Sequence, residues 1–196
     1  MKKKTSFNLK REYLLCWDFI KKSKGFICSV IVLFFFFSLL GFLIPAPEFI
    51  SEKILEILKE LIKNTQNLSH LELINFIFLN NLQSSFFGIF FGIFFGIFPI
   101  FATILNGYLL GFVSAMSVEN GGFSTLLRLL PHGIFELPAI FISLGLGVKL
   151  GSFIFSKNKM KSLKEYIINS LRVFLLVVVP LLFIASIIEG MLIFMS

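Results

Sequence analysis

From Phe86 to Val118 the chain carries no charged residue. Drawn as one helix, that stretch is about 50 Å long, well past the ~30 Å hydrocarbon core of a bilayer. It therefore either crosses a membrane twice, turning near Pro99, or crosses once with a kink. Further charge-poor blocks lie at 26–44, 133–150 and 171–195. Charged residues make up 15% of the chain and hydrophobic ones 57%, against about 25% and 45–50% in soluble domains. The expected fold is all-α: a polytopic transmembrane helical bundle of about five spans, with broken or kinked helices and one external amphipathic helix. A basic cytoplasmic arm at 1–25 precedes a single membrane domain at 26–196.

The charges sit in blocks beside the apolar spans. Lys2, Lys3, Lys4, Lys10, Arg11, Lys21, Lys22 and Lys24 precede the first span. They place the N-terminus in the cytoplasm. Lys149, Lys157, Lys159, Lys161 and Lys164 mark the residues after 150 as cytoplasmic too. Parity is then satisfied by spans at about 26–44, 84–98, 101–118, 133–150 and 171–195, with the C-terminus outside the cell membrane. A second solution also satisfies parity. In it 86–118 crosses once, and 121–150 forms a re-entrant hairpin with residues 131–139 at its tip. The five-span solution is favoured, although its turn at Phe98-Pro99-Ile100-Phe101 is apolar.

The net charge of +7 is explained by this topology. No aromatic–basic interleaving of the kind that stacks bases is present, so the lipid bilayer is the expected partner and nucleic acid is not. Cys16 and Cys28 have no CxxC or metal-ligand spacing and read as reduced and structural. No metal or cofactor is expected. No small-residue cleavage site follows Ile44, where Pro45 and Pro47 come next, so the first span reads as a retained anchor.

Residues 48–63 alternate as an amphipathic helix. Phe49, Ile50, Ile54, Leu55, Ile57, Leu58, Leu61 and Ile62 share one face, and Glu52, Lys53, Glu56, Lys59, Glu60 and Lys63 the other. Such a helix lies on the outer membrane surface, caps the bundle or docks a partner. Ser69-His70-Leu71-Glu72 is a capping box, so a helix starts there and runs into the next span. Asn80, Asn81, Gln83, Ser84 and Ser85 suit the headgroup boundary.

Gly88, Gly92 and Gly96 recur every four residues, a face on which helix backbones approach closely. Packing within the bundle is the main reading, and homo-oligomerisation through this glycine face the other. Asn106 reads as an interhelical hydrogen-bonding residue, with Gly107 and Gly111 as a second close-contact face. Pro99 and Pro180 kink or end helices and free backbone carbonyls.

Pro131-His132-Gly133-Ile134-Phe135-Glu136-Leu137-Pro138-Ala139 is a polar knot in apolar surroundings. Ionisable residues at bilayer depth mark function by default. Pro131 suits a helix start, and Gly133 allows close approach. His132 and Glu136 share a helical face, and Pro138 leaves the Ile134 carbonyl without its donor. Glu189 falls at similar depth on the last span. The expected site is therefore an outer-side polar cluster of Arg128, His132, Glu136 and Glu189. Such a cluster fixes helix register, lines a substrate or proton path, receives a partner, or forms a metal or hydrolytic centre. No HExxH supports the last.

At these residues the chain resembles the stage II sporulation protein M family. The match rests on PHGIFELPA at 131–139 with Ser143, Gly145 and Gly147. Asn80-Asn81, Asn106-Gly107 with Gly111, and Pro180-Leu181-Leu182 with Ile188-Glu189-Gly190 support it. The resemblance covers about residues 75–192. It implies a multi-pass, non-catalytic partner in an envelope or membrane-remodelling complex, with hydrolytic work done by other proteins. Three functions stay open: a non-enzymatic scaffold or partner subunit, a small transporter or channel-like permease subunit, and an intramembrane hydrolase with Glu136 or Glu189 as base.

Overall fold

A capping box starts one helix and two left-handed residues end it, and these two local signals decide how the long uncharged stretch folds. A computed structural model describes residues 8–128 and 130–195, with their side chains except at 127, 128, 130–132, 194 and 195. The described α-helices are α1 (Leu9–Lys22), α2 (Lys24–Leu43), α3 (Glu48–Thr65), α4 (His70–Phe90), α5 (Ile97–Gly121), α6 (Leu130–Gly151), α7 (Lys159–Val173) and α8 (Val179–Met195). No strand occurs among the described residues.

At the start of α4 the Ser69 N–H donates to Glu72 Oε2 at 2.8 Å, which satisfies an otherwise orphaned donor. α4 thus begins at His70, well before the residue 84 expected for the second span. It tightens into a 3-10 turn at Phe91–Ile93. Phe95 (φ 58°) and Gly96 (φ 72°) then adopt left-handed backbone, a region a phenylalanine seldom enters. The chain reverses there, so the turn lies at 94–96 and not at Pro99. Pro99 sits in the first turn of α5, where a missing N–H costs little.

Among the described residues, five helical stretches are long and apolar enough to cross a membrane. They are Lys24–Leu43, His70–Ile93, Ile97–Gly121, Gly133–Phe155 and Lys159–Ile193. The last is longer than expected because α7 and α8 form one rod through a π-helical segment, Phe174–Val178. Pro180 follows at once and cannot donate to the Leu176 carbonyl. A wide turn is a common way to absorb such a break.

Glycine contacts fix the helix directions. Gly107 meets Phe34 and Gly111 meets Ser38, so α2 and α5 run parallel. Gly145 meets Ile27, and Phe141 meets Phe34 edge to face, so α6 opposes α2. Gly88 meets Leu144 and Gly92 meets Gly147, so α4 runs with α6. Ile74 meets Gly190, and Phe86 meets Phe174, so α8 opposes α4. The alternation is the one that five successive crossings require. Residues 86–118 fold as parts of two antiparallel rods, α4 and α5, the arrangement that the five-span solution expects.

A Cβ added at Gly92 would land on the Gly147 backbone, and one at Gly151 on the Phe95–Gly96 backbone. The Gly88, Gly92 and Gly96 face is thus occupied by α6 within the chain. Gly107 and Gly111 face α2 in the same way. Among the described residues, a Cβ at Gly133 would meet only Leu137 of its own helix.

The segment read as a basic arm contains α1, which docks under the bundle. Cys16 and Phe19 are buried in a cluster with Ile89, Leu146 and Val173. Glu12 pairs with Arg172 of α7 at 2.6 Å. By contrast, α3 buries no residue at all.

Candidate functional site

α4 and α5 are joined at the 94–96 turn and then part company. The far half of α4 packs on α8 through Ile74 and Gly190, while α5 packs on α2 through Gly107 and Gly111. α6 stands behind both. Between α4, α5 and α6 lies a cavity of about 420 Å³. Asn106 stands about 14 Å along α5 from its first residue, and Ser85 about 12 Å along α4 from Ile93. Within a ~30 Å core, both are near mid-depth.

The lining mixes polar and apolar side chains. α4 contributes Asn80, Asn81, Gln83, Ser84 and Ser85, α5 contributes Asn106, and α6 contributes Glu136. Phe87, Phe98 and Phe101 form aromatic walls. Near the turn, Phe91 stacks on Phe87 (ring centroids 5.5 Å) and meets Phe98 at a tilt (5.0 Å). Ser85 is 2% exposed, and its hydroxyl has no hydrogen-bond partner among the described residues. Asn106 Nδ2 donates to the Ala102 carbonyl of its own helix at 2.7 Å. Its expected interhelical bond is thus replaced by an intrahelical one.

Glu136 is buried, at 7% exposure, and belongs to this cleft. Pro138, two residues on, lies inside α6, and Pro131 lies in its first turn. The side chains of Arg128 and His132 fall outside the described residues. Glu189 stands on α8 beside Gly190, which packs on Ile74, and it does not line the cleft. Among the described residues, no group of three or more His, Cys, Asp or Glu is gathered closely enough to hold a metal ion.

Two features escaped the sequence. Asn80, Asn81, Ser84 and Ser85 were assigned to the headgroup boundary because the second span was started at 84, although its helix was started at Ser69. Their spacing, 80 with 84 and 81 with 85, is a helical stripe and was the available signal. Lys149 was counted as a topological charge. It is 6% exposed, donates to Ser23 Oγ at 2.9 Å and lies over the rings of Phe19 and Tyr166.

The family model described as Stage II sporulation protein M matches residues 30–192. That range includes every helix that lines the cleft and leaves out α1. Neither a curated protein nor a solved structure matches the chain.

Proposed function

Because the chain belongs to the stage II sporulation protein M family, we propose that it is a multi-pass protein of the cell membrane. In this reading it acts as a non-enzymatic scaffold or partner subunit of an envelope or membrane-remodelling complex. Its N-terminus is cytoplasmic and its C-terminus outside. The lysines of α1 and α7, which pack together at one end of the bundle, support that orientation through the positive-inside rule.

The observation that carries the partner role is α3. It connects α2 to α4 and so stands at the end opposite α1 and α7. None of its residues is buried, and Phe49 and Ile57 are 70% and 59% exposed. An apolar helical face of that kind fits a partner's groove. A photo-crosslinking residue placed at Phe49 in cells tests this. Crosslinks to an envelope protein are expected, and crosslinks to lipid alone would contradict the role.

The midspan cleft favours a second reading, a small permease subunit, since polar residues at mid-depth mark solute paths in transporters. Glu136→Gln separates the two. A partner subunit keeps both its fold and its partner in pull-down, whereas a permease keeps its fold and loses flux.

A further inference from the structure

We propose that the cleft between α4 and α5 binds an uncharged, hydroxyl-rich ring: a sugar, either free in solution or carried as the headgroup of a glycolipid. The lining sets this chemistry. The amides of Asn80, Asn81 and Gln83 and the hydroxyls of Ser84 and Ser85 each donate and accept, as ring hydroxyls do. Glu136 places a carboxylate in the cleft, and among the described residues the lining holds no lysine or arginine, which disfavours an anion. Phe87, Phe98 and Phe101 offer flat apolar walls for the C–H face of a ring. The Ser85 hydroxyl is buried, faces the cavity and has no partner among the described residues.

Other occupants fit less well. An acyl chain would leave the amides unpaired in a dry environment, at several kcal/mol in total. A partner's transmembrane helix docks best on small residues. Here the glycines face inward to α2 and α6, and the cleft carries the exposed rings of Phe87, Phe98 and Phe101. The volume of about 420 Å³ falls within the range of small-ligand sites.

The test uses the full chain in phosphatidylcholine nanodiscs with Cys16→Ser, Cys28→Ser and Ser84→Cys. Asn106→Cys serves as a second reporter, and only variants that elute as the native protein are used. A water-soluble, membrane-impermeant methanethiosulfonate should modify the reporter cysteine. Methyl glucoside in solution, or monoglucosyl-diacylglycerol in the disc, should slow that reaction several-fold. Slowing by the free sugar identifies a solute, and slowing by the glycolipid alone identifies a headgroup. Ser85→Ala should raise the half-protecting concentration about fivefold, the loss of one hydrogen bond. Reaction at an unchanged rate with both probes would overturn the proposal. So would a cysteine reached only by a membrane-soluble maleimide, the result expected if lipid or a partner helix fills the cleft.

Discussion

Lys149 of α6 donates from its ammonium group to the hydroxyl of Ser23, at the α1–α2 junction, over 2.9 Å. The same ammonium lies 4.2 Å from the Phe19 ring centroid and 5.4 Å from that of Tyr166. One buried cation thus ties α1, α2, α6 and α7 together at one end of the bundle. The Ser23 hydroxyl donates onward to the Phe19 carbonyl at 2.6 Å, so the serine accepts and donates at once.

Lys149→Ala should release α1. Losing a buried long side chain and a desolvated cation–π contact costs about 2–4 kcal/mol. Lys149→Met, which keeps most of the volume, should cost less. The check is the midpoint of thermal unfolding in detergent, together with the alkylation rate of Cys16, which should rise in Lys149→Ala.

Cys16 is 1% exposed. Burial raises its thiol pKa above the ordinary range, and Glu12 adds to the rise while Arg172 opposes it. The folded state therefore prefers the protonated thiol. Its contribution to stability is complete below the ordinary thiol pKa and declines as pH rises through that value toward the folded one. Cys16→Ser should flatten this alkaline decline in unfolding midpoint. Cys28 is exposed on α2, near the start of the first span, and a membrane-permeant maleimide should modify it before Cys16.

Gly92→Ala should destabilise strongly, by about 3 kcal/mol, because the added Cβ meets the backbone of Gly147 and the helices must separate. Gly25→Ala is the control. A Cβ there meets nothing within 4 Å, and the change should be neutral or stabilising by less than about 1 kcal/mol. Paired thermal melts of the two variants decide the point.

Glu12→Gln should have a small effect, under about 1 kcal/mol, because the Glu12–Arg172 pair is partly exposed to solvent. A melt comparing it with Lys149→Ala should therefore rank the lysine as the main anchor of α1.

Much of this architecture was readable from residues. Charge blocks announced the spans, and the Ser69–Glu72 box announced α4. The four-residue glycine spacing announced backbone contact, though not that Gly147 and Gly151 would provide its other half. The turn at 94–96 was misplaced because a proline is a louder signal than Phe95, which takes a left-handed backbone that its type seldom adopts. The site was half legible. Glu136 stands out as a carboxylate at bilayer depth. Its company on α4 and α5 depends on how two helices diverge, which no local pattern encodes. The expected grouping of Glu136 with Glu189 rested on depth alone, and two of its four side chains, Arg128 and His132, fall outside the described residues.

The proposed topology, five crossings with the α4–α5 turn on the lysine-rich side, underlies the orientation, the role of α3 and the depth of the cleft. Single cysteines at Phe94 and Ser124, in a chain with Cys16→Ser and Cys28→Ser, test this most directly in intact cells. An impermeant thiol reagent should label Ser124→Cys from outside, and Phe94→Cys only after the membrane is permeabilised. Labelling of Ser124→Cys from the cytoplasmic side alone would contradict the account.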